Sequence, residues 1–522
     1  MKKNIYALIL AFLTSGFAFS QGEVEAYKLS KRDLSGTARG LSMGGAFGAL
    51  GGDLTGVNIN PAGLGTYRSS EIVGTFQYSN NKNVIVNSPS TRTNGKLSNL
   101  GFVGSFNLRS EVVPVINFGF SYNSQYSYNS SFSAVGDDMG DTSLMDYIVN
   151  ITNDKKNITT DMLKFKYDGE NVTWDPFASS SAPWLSIFGY NSYLINPTSP
   201  TSTTYTPLHK DGVGRSFNMA ETGNINTYDF SMGMDIANKL SIGGSVSVSD
   251  IFYKLQSSYS ELFMQGDNNG FSLDNYLTTE GAGIGGKLGI IYKPVNSLRI
   301  GVAYHTPIWY ILTDTYSAEM NENVTAYINN SNYKPASTYT KEFYNDYSFK
   351  TPDKWVFSLA GVLGSKALIS MDYEISNYGN MKFRGIESDA SDRFADANKY
   401  ISEDHKTAST LRAGMEYRFT PQFSFRLGYA WMQNPYNAKF VSGNADHTQL
   451  AAVTGSTTMY AIDGDAQYFT GGLGYRFNPN LYADFALVYK TQNSDVYPYP
   501  TAPSYELENN KFTGALTLGY KF

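Results

Sequence analysis

The chain has 522 residues, a length at which a soluble protein usually splits into several domains. Its composition points to another class: Tyr 40, Phe 32 and Gly 49 are high, Cys is 0, hydrophobic residues are 41% and mean hydropathy is -0.30, which is not the profile of a helical membrane protein. The net charge of -6 gives no reason to expect a nucleic-acid partner, and the absence of Cys fits passage through an oxidising periplasm.

The N-terminus reads as an export signal over residues 1–20. Lys2 and Lys3 form its positive start and Ile5 to Leu13 its apolar stretch. Ala18-Phe19-Ser20 places small residues where a signal peptidase reads, so cleavage is expected after Ser20. The competing reading, a membrane anchor, fails on length, since a spanning helix needs about 18 apolar residues or more. The mature chain then begins at Gln21. Residues 21–70 are expected to form a plug, with a short helix over Tyr27 to Leu34. Within it, Gly36 to Gly65 is rich in Gly and small residues and has no helical or strand period. Such a stretch builds no core of its own, but it can thread a tight interior.

From Glu71 onward strand signals come in pairs. The candidates are 71–79, 98–108, 115–129, 224–236, 240–254, 283–294, 298–313, 353–364, 367–378, 409–419, 422–433, 466–477, 481–492 and 511–522. That is fourteen, the even number expected of a bacterial single-chain barrel. In the last strand Phe512, Leu516, Leu518, Tyr520 and Phe522 share one face. Thr513, Ala515, Thr517, Gly519 and Lys521 share the other. Residues 481–490 and 367–375 alternate in the same way, so each segment has one apolar and one mostly polar side. The terminal Phe522 on an alternating strand resembles the signal read by the outer-membrane insertion machinery.

The connectors alternate short and long. Arg109–Pro114, Ala237–Lys239, Val295–Ser297, Ser365–Lys366, Thr420–Pro421 and Asn478–Asn480 are short. Asn80–Leu97, Ser130–Gly223, Leu255–Ala282, Asp314–Pro352, Gly379–Ala408, Asn434–Asp465 and Asn493–Asn510 are long. Outer-membrane barrels pair short periplasmic turns with long outer loops; a soluble sandwich has no reason to keep that rhythm. The expected architecture is all-β: a 14-stranded antiparallel transmembrane barrel over 71–522, with the plug in its lumen and long extracellular loops, in the outer membrane of a Gram-negative bacterium. The loop 130–223 is too long to be structureless. A helix over Asp137 to Val149, with Trp184 and Ile187, suggests either a lid over the mouth or a loop packed on itself.

Asn60-Pro61-Ala62-Gly63 follows the run Arg39-Gly40-Leu41-Ser42-Met43-Gly44-Gly45-Ala46-Phe47 and the pair Gly52-Asp53. This pattern resembles the start of the FadL/TodX family of long-chain fatty acid and hydrocarbon transporters. The resemblance implies passive passage of a hydrophobic small molecule through a plugged barrel, with sideways release into outer-membrane lipid and with no enzymatic step and no cofactor. The very long second outer loop departs from better-known members. The physical logic stands independently, because returning apolar surface to water costs about 25 cal/mol per Å² and a greasy path into the bilayer avoids that. The candidate gating and ligand-binding residues are Met43, Gly44, Gly45, Phe47, Asn60, Pro61, Ala62 and Gly63. The bland reading of the same motif is a structural corner of the plug, since Asn-Pro suits a tight turn.

Other patterns carry less. Gly281-Ala282-Gly283-Ile284-Gly285-Gly286 partly matches a dinucleotide fingerprint but lacks its strand and helix. His209, His305, His405 and His447 have no metal-ligand spacing, and no metal site is expected. Asp267-Asn268-Asn269-Gly270 is too incomplete for a calcium loop. Asp229, Asp235, Asp372, Glu374 and Asp484 fall on predicted inner faces, where they line the lumen or bond the plug. The alternative function is a surface or secretion barrel whose outer loops hand on a protein partner. A barrel hydrolase would need a nucleophile and His on one rim, which no local pattern supports.

Overall fold

Strand alternation sets one side chain against lipid and the next inward, and a sheet whose last strand meets its first leaves no open edge. The structure is a computed structural model and describes residues 22–136, 142–209, 214–265, 268–328, 333–364, 366–386, 392–441 and 455–522. The expected signal segment, Gln21, Asp267 and His447 lie outside the described residues.

Among the described residues fourteen antiparallel strands close into one barrel. They are β1 Glu71–Ile85, β2 Ser88–Asn107, β3 Val115–Ser127, β4 Gly214–Ile236, β5 Leu240–Leu262, β6 Gly270–Val295, β7 Leu298–His305 continued by Trp309–Asn323, and β8 Phe343–Lys350 continued by Lys354–Leu363. Next come β9 Ala367–Asn377 continued by Lys382–Gly385, β10 Thr407–Arg418, β11 Phe423–Met432, β12 Tyr460–Arg476, β13 Leu481–Tyr497 and β14 Tyr505–Lys521. β14 pairs with β1, with Glu71 opposite Lys521, and this pairing closes the ring. The outward residues are those the alternation predicts: Phe512, Leu516, Leu518, Tyr520 and Phe522 are all exposed. No helix of the described residues is long and apolar enough to cross a membrane.

Three expected long loops are mostly strand. β1 and β2 run on through 80–97 and turn at Val86-Asn87, both at positive φ (48° and 58°). That is the geometry of a tight two-residue hairpin. β5 and β6 likewise continue into 255–282, and β13 and β14 into 493–510. Outside the lipid the outward face of these ribbons is largely polar, while inward residues such as Leu255, Tyr259, Phe271, Leu273 and Leu277 join the apolar core of the mouth, so they lack the apolar outward period that marks a spanning strand. Their ladder hydrogen bonds need no such period. The predicted strand 298–313 is instead broken at Thr306–Ile308, because Pro307 cannot donate to a ladder.

The N-terminal segment contains α1 (Glu23–Leu29), α2 (Ala38–Ser42), α3 (Leu54–Ile59) and a 3-10 turn, Pro61–Thr66. α1 starts and ends earlier than the helix expected over Tyr27 to Leu34. Gly22 N–H is held by Glu25 Oε2 at 3.0 Å, and beyond Ser30 the chain extends along the wall, with Asp33 N–H on the Gln125 carbonyl at 2.9 Å. In the long loop, Ser143 caps α4 (Leu144–Asp154), which begins and ends later than expected; residues 137–141 lie outside the described residues. α5 (Trp184–Asn191) lies across the mouth. The Trp184 ring meets those of Phe343 and Tyr316 at 4.8 and 5.4 Å, and Thr152 Oγ1 donates to Ser186 Oγ at 2.7 Å, so this loop, hereafter the lid, packs both onto the strands and on itself.

Candidate functional site

The plug residues bury themselves against the wall. Gly44 and Gly45 take left-handed backbone (φ 64° and 74°), which lets the chain turn flat against β11. A Cβ on Gly44 would stand 2.7 Å from the Tyr429 carbonyl oxygen, and its N–H donates to Thr470 Oγ1 at 3.0 Å. Phe47 and Gly48 N–H donate to the Asp372 carboxylate at 2.9 and 3.0 Å. Asn60 Nδ2 donates to the carbonyls of Gly48 (2.8 Å) and Ile290 (3.1 Å), while its Oδ1 accepts from Ala62 N–H at 3.1 Å. Gly63 N–H returns to the Asn60 carbonyl at 2.9 Å. Pro61 and Ala62 seat their backbone on Gly243 of β5 so closely that a side chain there would collide.

Met43 and Phe47 are fully buried with Ala49, Leu50 and Ala360. Met43, Gly44, Phe47, Asn60, Pro61, Ala62 and Gly63 are thus sealed in plug and plug–wall contacts, while Gly45 borders a lumen cavity.

Charge pairs tie the same layer together. Arg39 Nε meets Glu416 at 2.8 Å, and Arg426 bridges Glu416 (2.7 Å) and Asp484 (2.6 Å). Glu374 holds Arg412 at 2.9 Å and Lys354 at 3.3 Å, and Asp229 holds Lys287 at 2.7 Å. Asp235 pairs with Arg68. The five inward acids read from the alternation are all buried and all bonded; Asp372 holds the plug directly.

Above this layer the lumen opens into cavities. One is bordered by Leu29, Arg32, Asn58, His305, Ile308 and Thr351, and a second by Arg32, Gly45, Ile59, Lys354, Glu374 and Arg412. Leu29, Ile225 and Tyr310 border the first cavity and also belong to the large apolar core of the outer mouth. Arg32 lies between the two cavities and has no carboxylate within ion-pair distance among the described residues. The Lys31 ammonium beside Asp463 and the Asp33 carboxylate beside Lys511 both stay charged, each stabilised by its partner.

Three neighbouring strands are interrupted, at 306–308, 351–353 and 378–381; the first cavity reaches the wall at the first two breaks, through Thr306, Ile308 and Thr351, and the second at Tyr378. Threonine hydroxyls replace ladder partners there. Gly286 N–H donates to Thr306 Oγ1 and Ile308 N–H to Thr351 Oγ1, both at 2.9 Å. Sequence reasoning missed Arg32, Ile308 and Thr351. The available signal was Pro307 and Pro352, one inside and one beside a strand run.

No curated protein matches the sequence. Among solved structures, the fold is similar to a Pseudomonas aeruginosa FadL homologue, with 12% identity, 94% of this chain and 99% of that one covered, and TM-score 0.53. It is also similar to the Pseudomonas putida toluene transporter TodX, with 11% identity, 94% and 99% covered, and TM-score 0.50. At these identities the likeness is one of fold. The family model described as outer membrane protein transport protein (OMPP1/FadL/TodX) matches residues 206–498, more than half of the chain. A closed outer-membrane barrel, an N-terminal segment seated against its wall and this match converge: the chain belongs to the OMPP1/FadL/TodX family, whose members are not enzymes but transport hydrophobic compounds across the outer membrane of Gram-negative bacteria.

Proposed function

We propose that the protein admits long-chain fatty acids and similar amphiphiles, and that residues 21–70 are the plug that gates them. The observation that carries this reading is one cavity with two kinds of wall. Leu29, Ile225 and Tyr310 join it to the apolar mouth, and Arg32 supplies a cation with no carboxylate within ion-pair distance among the described residues, Glu374 acting on it from beyond that distance. An alkyl tail gains about 0.8 kcal/mol per methylene taken out of water. A carboxylate on a guanidinium in a secluded site gains a charge-assisted, two-point hydrogen bond. A pure hydrocarbon would use the first feature and leave the second idle.

In this reading Met43, Gly44, Gly45, Phe47, Asn60, Pro61, Ala62 and Gly63 act by seating the plug, and ligand contact falls to residues above them. Release runs sideways where the strands break at Thr306–Ile308 and 351–353, beside the same cavity. The test compares binding of a fatty acid and the alcohol of equal chain length to the purified barrel. The acid is expected to bind more tightly, and Arg32→Ala to remove about 1.5–3 kcal/mol of that preference, the range for a hydrogen bond to a charged group. Equal binding of acid and alcohol to the unaltered protein would sink the fatty-acid reading.

A further inference from the structure

The outer surface carries one feature that the lumen does not use. On β9 the lipid-facing residues Ile369, Met371 and Tyr373 are exposed and apolar, and beyond the break the next outward residues are Lys382 and Arg384. On β8 the outward run Leu359, Phe357, Trp355 is followed, beyond its own break, by Lys350 and Ser348. On β7 Trp309 and Ile311 face outward beside them. Register places Trp309, Lys350 and Lys382 in one row across the three strands, and Ile311, Ser348 and Arg384 in the next. The residues between them, Tyr310, Phe349 and Phe383, point inward and are buried, with the Phe349 and Phe383 rings 4.8 Å apart. The three cations therefore stand on the outer face.

Lys350 opposes Lys382 directly, and like charges in that position destabilise a sheet. None of Lys350, Lys382 and Arg384 is within ion-pair distance of a carboxylate among the described residues. The acid on this face, Asp346, accepts instead from Thr313 Oγ1 at 2.6 Å, and its carbonyl from Arg393 Nη2 at 2.8 Å. An arrangement that repels itself and has no counter-charge within ion-pair distance among the described residues calls for an external anion. Its height defines which anion. The cations begin where the apolar band ends, flanked by Trp309 and Trp355, and indole rings of this kind mark the headgroup level of a membrane.

We propose that Lys350, Lys382 and Arg384 form a binding site for the phosphate of an anionic lipid headgroup in the outer leaflet. Arg384 offers a two-point fork and the lysines two point charges. The acyl chains lie below, along Trp355, Phe357, Met371 and Tyr373. The lipid so held stands directly over the interrupted strands, as an annular component of the protein rather than as its cargo.

The experiment is native mass spectrometry of the full barrel in zwitterionic micelles doped with a bisphosphorylated disaccharide lipid, with its dephosphorylated form, or with inorganic phosphate alone. The phosphorylated lipid is expected to remain bound and the dephosphorylated one to be lost. The triple variant Lys350→Gln, Lys382→Gln, Arg384→Gln should retain about tenfold less, a difference of about 1.4 kcal/mol. Lys350→Arg with Lys382→Arg should retain the lipid, and Lys254→Gln, a cation elsewhere on the rim, should change nothing. Heat-modifiable electrophoretic mobility verifies that each variant is a folded barrel. Equal retention by the triple variant, equal binding of the dephosphorylated lipid, or complete displacement by millimolar inorganic phosphate would overturn the proposal.

Discussion

The lumen has two halves built on different physics. Toward the short turns, plug and wall meet through backbone hydrogen bonds, glycine contacts and buried ion pairs, as at Gly44 against Tyr429 and Arg426 between Glu416 and Asp484. Toward the mouth, the lid meets the strands through rings and aliphatic side chains, as at Trp184 against Phe343. Directional contacts with desolvated charges admit one arrangement, because a shift leaves a buried group unpaired. Apolar contacts have no preferred register and accept another apolar surface in exchange. The first half suits a seat, and the second a place where greasy molecules replace side chains.

The difference can be broken by mutation. The largest effect is expected from Arg426→Ala, which strands the buried Asp484 and leaves Glu416 to Arg39 and Arg418, and should remove about 3–5 kcal/mol. Loss of protease resistance in residues 22–70, with the barrel still folded, is the expected readout. Ile187→Ala, in the fully buried face of the lid helix, should cost about 2–5 kcal/mol and act on lid docking alone. Proteolysis of 142–209 is expected to rise while the plug stays protected. If either variant loosened both halves equally, the distinction would fail.

A smaller effect sharpens the boundary between the halves. Glu23, at the start of α1, is 0% exposed, and neither carboxyl oxygen is hydrogen-bonded to another described residue. Burial pushes its carboxyl from 4.5 up to about 8, helped by Asp404 and Glu25. The docked helix therefore keeps a proton that the undocked one loses. Docking is strongest below pH 4.5 and weakens progressively up to about pH 8. Amide exchange in α1 should quicken over that window and become flat in Glu23→Gln.

The wall was legible because lipid imposes a period of two on every spanning strand. Phe512 to Phe522 and Ala367 to Ile375 could be assigned from alternation, and every predicted stretch overlaps one of the fourteen strands, with several ends off by one or two residues and 298–313 interrupted at Thr306–Ile308. The ribbons at 80–97 and 255–282 were not legible, because in water the outward face is largely polar, the apolar outward period of a spanning strand is lost, and partner strands reveal them. The seat was half legible. Asn60-Pro61-Ala62-Gly63 announced a tight structure, and Asp372 an inward acid. That Asp372 would hold Phe47 and Gly48, some 325 residues away, depends on a contact with no local signature.

The sequence by itself determined the spanning strands, their pairing in order and the small-residue segment before them, since each follows from side-chain period, turn chemistry or residue size within a short window. Tertiary structure decided which charges neutralise one another, leaving Arg32 in the lumen and Lys350, Lys382 and Arg384 outside with no carboxylate within ion-pair distance among the described residues. It also decided that three strands break at one level beside the lumen cavities. Those outcomes depend on distances between residues far apart in the chain, and only closure of the barrel sets those distances.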